Sequence, residues 1–345
     1  MLYVTTRSDR DAYTAHRVLT ADFGTDGGQF VPRQIPRFGE DELREVASRS
    51  FNQNVAHVLG LLYREKLTDR DIDLVIGKRP MRLLELNSRT LVAETWRNSD
   101  WSFDQFVDRL FRVLVKDPAA KPGIWFVMSL RIAVLFGIYG ELMARGIVTA
   151  EEPLDIAVPS FDFQSPMAAW YARHWGLPIG SIICCCNENN APWSLLHQGE
   201  MRTDSPVRHT YTAACDQAVP AGLERLISAT LGADEARRFA AAVSAGRPYK
   251  LEASQQEQLR RGIFVSVVSQ RRMEFMIPNI YRTGQWIPDP YAAMAYTGLV
   301  DHRAAPGDTG LALIISEENP VFSAEMLAQA MDISADDLRR RLENG

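Results

Sequence analysis

The sequence predicts an α/β protein built on a parallel, doubly wound sheet. The main observation is an apolar strand at Leu154–Pro159, a helix at Pro166–Trp175 and a second strand at Ser181–Cys186. Such a helix carries the chain back to the end of the sheet at which the first strand began, so the two strands run in parallel. The hydrophobic fraction of 46 % and the charged fraction of 23 % are ordinary for a folded globular chain.

The first half of the chain is predicted to form helices and one pair of strands. Apolar residues recur at helical spacing through Asp41–Leu74. Short strands are predicted at Met81–Asn87 and Thr90–Thr95, on either side of a turn. An amphipathic helix is predicted at Phe103–Val115, and the stretch Asp117–Gly123 is predicted to be a loop because it contains proline and glycine.

The longest apolar stretch lies within Ile124–Arg145, where Ser129 and Arg131 interrupt it. It is too short and too charged to span a bilayer, so we predict a buried helix. The remaining predicted elements are a helix at Ala233–Ala245, a helix or strand in Ser254–Val268, and a strand at Leu311–Ile315.

The net charge of the chain limits the classes of molecule that we expect it to bind. A net charge of −5 and a pI of about 5.8 offer no basic surface to nucleic acid or to an anionic membrane. The N-terminus is polar and lacks an apolar segment of the kind that a signal peptide needs. We therefore expect a cytoplasmic protein.

The cysteines and histidines do not predict a metal site. Cys184–Cys186 are consecutive and Cys215 is distant, whereas zinc ligands favour a C-x-x-C type of spacing. We expect small buried hydrophobic side chains, with a reactive thiol as the alternative. No two of the histidines stand at H-x-x-x-H spacing.

Two long stretches resemble a known family. Leu2–Pro32 reads LYVTTRSDRDAYTAHRVLTADFGTDGGQFVP, and Val158–Thr203 begins VPSFDFQ. These stretches resemble the threonine synthases, which open with Y-x-S-T-R-G and D-G-G-L-F-V-P and later carry V-P-T-G-N-F-G. The resemblance implies a fold related to the tryptophan synthase β chain, with a threonine-synthase-type N-terminal region at residues 1–95 and a trimmed α/β domain at 96–345. Most of the family's small cofactor domain is missing at Asp117–Gly123.

The family uses pyridoxal phosphate to convert O-phosphohomoserine to threonine. The segment Arg97–Gln105, RNSDWSFDQ, stands where the family has H-G-P-T-x-x-F-K-D, so the imine-forming lysine falls on Asp104. A carboxylate cannot form that imine. Asp104 is either a general base or an acid in the first turn of a helix capped by Ser102, where it suits the helix dipole.

The phosphate loop of the family has changed as well. T-G-N-F-G becomes Ser160–Gln164, SFDFQ, in which both glycines are lost and Asp162 adds a negative charge. Backbone N–H groups converge on a phosphate most readily at glycine, so we expect no pyridoxal phosphate. Gly307–Gly310, GDTG, has the letters of another family loop but precedes a strand, and we predict a turn there.

The candidate residues are those that would face a retained cleft. The catalytic candidates are Asp104, Asp162 and Glu188, and the candidates for substrate binding are Ser160, Asn187, Arg202 and Thr203.

Three functions remain open on the sequence. The first is a cofactor-independent enzyme acting on an amino-acid-like or carboxylate substrate, for instance in specialised metabolism. The second is a catalytically inactive relative that acts as a binding subunit, with a protein partner or as a homo-oligomer. The third is a pyridoxal-phosphate lyase that uses another lysine, of which Lys78, Lys116 and Lys121 are the nearest in sequence.

Overall fold

The computed structural model describes residues 1–78, 81–96, 102–304 and 310–344. The strands are β1 (Leu2–Thr5), β2 (Ser8–Thr14), β3 (Phe30–Pro32), β4 (Arg82–Asn87), β5 (Thr90–Glu94), β6 (Leu154–Pro159), β7 (Ile179–Cys186), β8 (Glu200–Met201), β9 (Tyr249–Lys250), β10 (Ile263–Val267) and β11 (Ala312–Ser316).

Helices make up most of the remaining structure. They are α1 (Ala15–Thr20), α2 (Glu40–Ser48), α3 (Phe51–Tyr63), α4 (Asp69–Ile76), α5 (Phe103–Leu114), α6 (Ile124–Ala144), α7 (Gln164–Trp175), α8 (Ala191–Trp193), α9 (Gly222–Leu231), α10 (Ala233–Ser244), α11 (Ala253–Arg260), α12 (Gln270–Gly284), α13 (Pro290–Arg303), α14 (Ala324–Met331) and α15 (Ala335–Asn344).

The central sheet has six strands in the order β10–β7–β6–β11–β5–β4. All neighbours pair in parallel except β4, which pairs antiparallel with β5 at the edge. A separate antiparallel sheet, β2–β1–β3, lies in the N-terminal region, and β8 pairs with β9. The predicted fold class is confirmed. The proposed domain boundary after residue 95 stays a prediction, and β4 and β5, which precede it, lie in the central sheet.

Helix α6 is the core of the helical layer and packs against α2, α3 and α7. It is long and apolar enough to cross a membrane, yet 78 % of its most apolar window is buried inside the protein. Its polar residues have partners: Ser129 lies 2.7 Å from the Tyr63 hydroxyl, and Arg131 pairs with Glu317. Gly140 allows the close approach of α3, since a Cβ there would lie 2.3 Å from the Asn54 amide nitrogen.

The predicted elements correspond closely to the observed ones. The stretch Asp41–Leu74 contains three helices, and the chain passes from α5 to α6 through the loop 115–123. Ser254–Val268, predicted as a helix or a strand, contains a helix and then a strand. Two predictions lie largely outside the described residues: most of the Arg97–Gln105 segment before α5, and the turn at Gly307–Gly310 apart from its last residue. The N-terminal sheet and the β8–β9 pair were not predicted.

Candidate functional site

The carboxyl ends of the parallel strands meet at one edge of the sheet, where ligands of this architecture bind. Ser160 follows β6, Asn187 and Glu188 follow β7, and Glu317 and Glu318 follow β11. The strand order therefore brings two of the stretches that the sequence selects, after β6 and after β7, to adjacent positions.

Between β6 and β11, this edge is packed with side chains. The Arg131 guanidinium carbon lies 4.0 Å from the centre of the Phe103 ring and 4.9 Å from that of Phe161. Phe161 in turn packs on Tyr291, with ring centres 4.8 Å apart. Arg131 also pairs with Glu317, and their side chains are only 12 % and 15 % exposed. Desolvated contacts between a cation and two rings favour this closed arrangement.

The loop after β6 has a backbone conformation that favours glycine, although it contains none. Phe161, Asp162 and Phe163 have φ of 37°, 58° and 61°. Each such residue costs about 1–3 kcal/mol unless its surroundings hold it. The buried Phe163 ring and a hydrogen bond from the Ala221 amide to the Asp162 carboxylate hold the loop. Gly222 makes room for it, because a Cβ there would lie 2.7 Å from the Asp162 carbonyl oxygen.

The electrostatics of Asp162 differ from those of a free carboxylate. Burial raises its pKa, while the Ala221 amide and the Arg225 guanidinium oppose that rise. The Asp162 carboxylate is therefore bound to the Ala221 amide, directly before α9. No described contact joins it to the other two predicted acids, Asp104 and Glu188.

Acidic groups that were not predicted gather at the end of β11. Burial raises the pKa of Glu318, and the carboxylate of exposed Asp104 raises it further. Burial also raises the pKa of Asp289 to about 7. Asp289 accepts hydrogen bonds from the Ala292 amide at 2.9 Å and from the Ser316 hydroxyl at 2.6 Å. Two features of the sequence could have indicated this group: Asp289 stands directly before the proline that starts α13, and Glu317 and Glu318 directly follow β11.

Asp104 lies in the first turn of α5, as one of the two sequence interpretations requires. The Ser102 hydroxyl accepts a hydrogen bond from the Gln105 amide and caps the helix. The Asp104 side chain is exposed, and its described electrostatic partner is Glu318. The confirmed cap accounts for an acid at this position, and a role as a general base stays a prediction.

Glu188 and Arg202 do come together, in a cavity of about 600 Å³ at the ends of β7 and β10. One carboxylate oxygen of Glu188 accepts a hydrogen bond of 2.9 Å from the Gln270 amide at the start of α12. Its other oxygen and the Gln217 side-chain oxygen are buried without a hydrogen-bond partner. Arg202 and Arg208 line the same cavity. We call it the β7–β10 cavity.

Asn187 joins the end of β7 to the loop that follows β8. Its amide nitrogen donates to the hydroxyls of Thr210 and Thr212 and to Asp216, the last at 2.7 Å. Asn189 donates to the same Asp216 carboxylate at 3.1 Å. These contacts fix the loop that forms one wall of the β7–β10 cavity, so Asn187 shapes this cavity without lining it.

The other two predicted binding residues lie apart from the β7–β10 cavity. Ser160 is almost fully buried, its amide donates to the Cys185 carbonyl at 2.9 Å, and its hydroxyl bonds to the Cys215 thiol. The Thr203 hydroxyl donates to the Arg247 carbonyl oxygen at 2.9 Å. Of the seven candidates, only Glu188 and Arg202 therefore line this cavity together.

The cysteines behave as buried apolar side chains. Burial raises the pKa of Cys184 and Cys185 well above the usual value and raises that of Cys215 to about 11. Thiols with such pKa values stay protonated and weakly nucleophilic. Within the described ranges, no group of three or more histidine, cysteine, aspartate or glutamate side chains is arranged to hold a metal ion.

The residues present do not fit covalently bound pyridoxal phosphate. An imine needs a lysine amine directed into a protected cleft at the carboxyl edge of the sheet. The chain has five lysines, all of them within the described ranges and all exposed: Lys66, Lys78, Lys116, Lys121 and Lys250. None follows a parallel strand of the central sheet, and Lys250 is paired with Glu200.

Comparison with known proteins identifies relatives of this chain. Residues 2–79 match the sequence family described as "Threonine synthase N terminus". The human protein "Threonine synthase-like 1" is 24 % identical over 161 residues, which are 46 % of this chain and 22 % of the human protein. Threonine synthase of Pseudomonas aeruginosa is 25 % identical over 133 residues, 36 % of this chain and 28 % of that enzyme. The matched stretch thus spans less than a third of these relatives.

Two solved structures show the same fold over nearly the whole chain. The pyridoxal-phosphate-bound threonine synthase of Brucella melitensis superposes with a TM-score of 0.82 at 14 % identity, covering 99 % of this chain and 94 % of that one. The yeast enzyme gives a TM-score of 0.81 at 16 % identity, with the same coverage. At this level of identity the likeness concerns the fold.

Proposed function

We propose that this chain belongs to the threonine synthase family and binds an amino-acid-like ligand without pyridoxal phosphate. The observation that carries the proposal is the β7–β10 cavity, which is lined by both Arg202 and Glu188, one of whose carboxylate oxygens has no hydrogen-bond partner. This cavity lies at the edge of the sheet where ligands of such folds bind.

The unpaired atoms of the β7–β10 cavity are acceptors. The free oxygens of Glu188 and Gln217 are buried, and leaving a buried acceptor unpaired costs about 1–3 kcal/mol. An ammonium group supplies the N–H donors that both oxygens lack. Because the second Glu188 oxygen is held by the Gln270 amide at 2.9 Å, the carboxylate is already oriented.

The opposite charge is available at the rim of the same cavity. The Arg208 guanidinium has no described hydrogen bond or ion pair. Arg202 is exposed and forms a two-bond pair with Asp204, at 3.0 and 3.1 Å. A guanidinium binds a carboxylate through two parallel hydrogen bonds. A ligand with both an ammonium and a carboxylate therefore matches this cavity.

The loss of pyridoxal phosphate is part of the proposal. It is supported by the exposed positions of all five lysines and by the stack of Phe103, Arg131 and Phe161 at the sheet edge. Formation of the cofactor imine on Lys78, Lys116 or Lys121 would require a protected cleft around these lysines, and all three are exposed to solvent.

Calorimetric titration with homoserine, threonine and aspartate tests the proposal. We expect at least one of them to bind, and we expect its N-acetyl derivative not to bind because it lacks the ammonium. Glu188→Gln should lower the affinity by about 10-fold or more. Glu200→Gln is the matched control, since Glu200 lines the same cavity but is paired with Lys250 at 2.9 Å. Failure of all three amino acids to bind, or an equal effect of the two variants, would count against the site.

A cofactor-independent enzyme is the second candidate, favoured by the raised pKa values of Asp289 and Glu318. A carboxyl group with a raised pKa holds its proton to a higher pH and can serve as an acid and as a base. Exchange of the α-hydrogen of added amino acids in D₂O, followed by NMR, tests this candidate. We expect exchange above the buffer rate, reduced in Glu318→Gln. Exchange at the buffer rate would exclude this chemistry for those amino acids.

Location and partners are the remaining parts of the proposal. We infer a cytoplasmic protein that forms a homo-oligomer or binds a protein partner, and that contacts neither nucleic acid nor membrane. Phe275 and Phe322, whose exposed fractions are 70 % and 69 %, are apolar surface positions that a protein partner would cover. Light scattering after size-exclusion chromatography tests self-association, and a pull-down from the host tests a partner.

A further inference from the structure

A larger cavity, of about 1090 Å³, lies between the N-terminal sheet and the helices α7, α9 and α10. We propose that it binds the oxyanion group, phosphate or carboxylate, of a small organic ligand, and that Arg225 receives this group. We call it the arginine cavity, after the arginines that line it: Arg7, Arg10, Arg33, Arg225 and Arg237. The proposal does not depend on the β7–β10 cavity.

Arg225 is the main reason for this assignment. Its side chain is completely buried, and both terminal guanidinium nitrogens lack a hydrogen-bond partner. Its remaining nitrogen makes only a long contact, 3.4 Å, with the Phe30 carbonyl oxygen. Arginine keeps its charge when buried, so the protein holds an uncompensated cation, which is costly. A bound oxyanion would accept hydrogen bonds from both free nitrogens.

The nearby carboxylates are committed to other groups. Glu224 accepts two hydrogen bonds from Arg7, at 3.0 and 2.9 Å. The Asp162 carboxylate accepts from the Ala221 amide. These carboxylates act on Arg225 through space but do not bond to its free nitrogens. The hydrogen-bonding capacity of Arg225, which lines the cavity, is therefore unmet by these carboxylates.

The rest of the lining favours an anion. Five arginines and three aspartates line the cavity, and two of the aspartates have partners: Asp26 accepts from Thr5, and Asp234 pairs with Arg237. The side chains of Arg10 and Arg33 are exposed and make no described hydrogen bond or ion pair. Two exposed cations in the lining are thus available to contact a ligand whose oxyanion is bound by Arg225.

Part of the wall is apolar, which indicates an organic ligand rather than a bare ion. Trp170, Tyr171, Ile35 and Leu231 line the cavity together with the arginines. Such a combination of apolar wall and few convergent polar groups is typical of sites for small organic molecules.

Inorganic phosphate and succinate serve as probes, in calorimetry and in thermal unfolding at constant ionic strength. We expect one or both to bind and to raise the melting temperature, because binding to the folded state stabilises it. Arg225→Met should lower the affinity by about tenfold or more. Without a probe, the same variant should melt at the same temperature as the wild type or higher, since it removes an unpaired buried cation.

Arg173→Met is the matched control. Arg173 is a largely buried arginine whose guanidinium does have partners, the carbonyls of Gly180 at 3.2 Å and Gly262 at 3.1 Å. This variant should melt at a lower temperature and keep the wild-type affinity for the probes. Arg33→Ala, at an exposed position, should fold normally and bind more weakly, which keeps the test valid should Arg225→Met fail to fold.

The outcomes separate the two ligand chemistries. Binding of phosphate alone assigns a phosphate group, and binding of succinate alone assigns a carboxylate. Absence of binding by both probes overturns the proposal, as does unchanged affinity in Arg33→Ala and Arg225→Met. Glu188→Gln should not alter phosphate binding, so the arginine cavity and the β7–β10 cavity can be refuted independently.

Discussion

The buried carboxyl of Asp289 should make the stability of this protein fall as the pH rises toward neutrality. The side chain is fully buried, and burial raises its pKa from 3.8 to about 7 despite hydrogen bonds from the Ser316 hydroxyl and the Ala292 amide. The carboxylate of Glu318 contributes to the same rise. The folded protein therefore holds this proton more tightly than the unfolded chain does.

The sign and size of the effect follow from that difference. A carboxyl group with a raised pKa stabilises the fold fully below its unfolded pKa and loses this contribution as the pH rises through its folded pKa. A shift from 3.8 to about 7 corresponds to about 4 kcal/mol in total. Between about pH 5 and pH 8 the loss amounts to roughly 2–3 kcal/mol.

The substitution Asp289→Asn isolates this contribution. The asparagine can still accept from the Ala292 amide, and it can donate to the Ser316 hydroxyl oxygen, which also accepts from the Trp96 indole at 3.0 Å. Urea unfolding at about pH 5 and pH 8 should show that the variant is the more stable protein at the higher pH. Equal pH dependence in the two proteins would refute the reasoning.

Three further predictions concern the loop after β6 and its neighbours, and urea unfolding tests each of them. Gly222→Ala should destabilise the fold by about 1–3 kcal/mol, because the new Cβ would lie 2.7 Å from the Asp162 carbonyl oxygen. Unchanged stability would mean that the loop after β6 shifts at little cost to accommodate the Cβ. Arg131→Met should lower the free energy of unfolding by about 3 kcal/mol, because it leaves the Glu317 carboxylate unpaired. Adding Glu317→Gln to this variant should recover part of the loss, and additive losses from the two substitutions would contradict a direct pair. Asp162→Asn should leave the free energy of unfolding at neutral pH unchanged or increase it. Asparagine tolerates the left-handed backbone, and its side-chain oxygen can still accept the hydrogen bond from the Ala221 amide. A clear loss of stability would show that the negative charge is needed.

Periodic patterns in the sequence were sufficient to predict most of the fold. The apolar strand at Leu154–Pro159 was predicted with the bounds that are observed, and the long helix beginning at Ile124 ends within one residue of its predicted end. These elements depend on local apolar spacing. The N-terminal sheet was missed because β2 carries exposed polar residues and shows no alternation of apolar and polar positions.

The candidate site was predictable only in part, because its geometry depends on contacts between distant residues. Glu188 and Arg202 could be selected from their places after β7 and near β8, and they do line one cavity. The left-handed backbone at Phe161–Phe163 could not be predicted, since only tertiary contacts hold it there. Arg225 was also missed, because nothing in the sequence of Pro220–Ile227, PAGLERLI, distinguishes a buried arginine without hydrogen-bond partners from an exposed one.

The central claim is that no lysine of this chain holds pyridoxal phosphate as an imine. The most direct measurement is borohydride reduction of the purified protein after incubation with pyridoxal phosphate and excess free lysine, followed by mass spectrometry of its peptides. We expect no stoichiometric adduct at Lys66, Lys78, Lys116, Lys121 or Lys250, because all five amines are exposed and compete poorly with free lysine. One adduct per chain at a single lysine, resistant to that competition, would contradict the account.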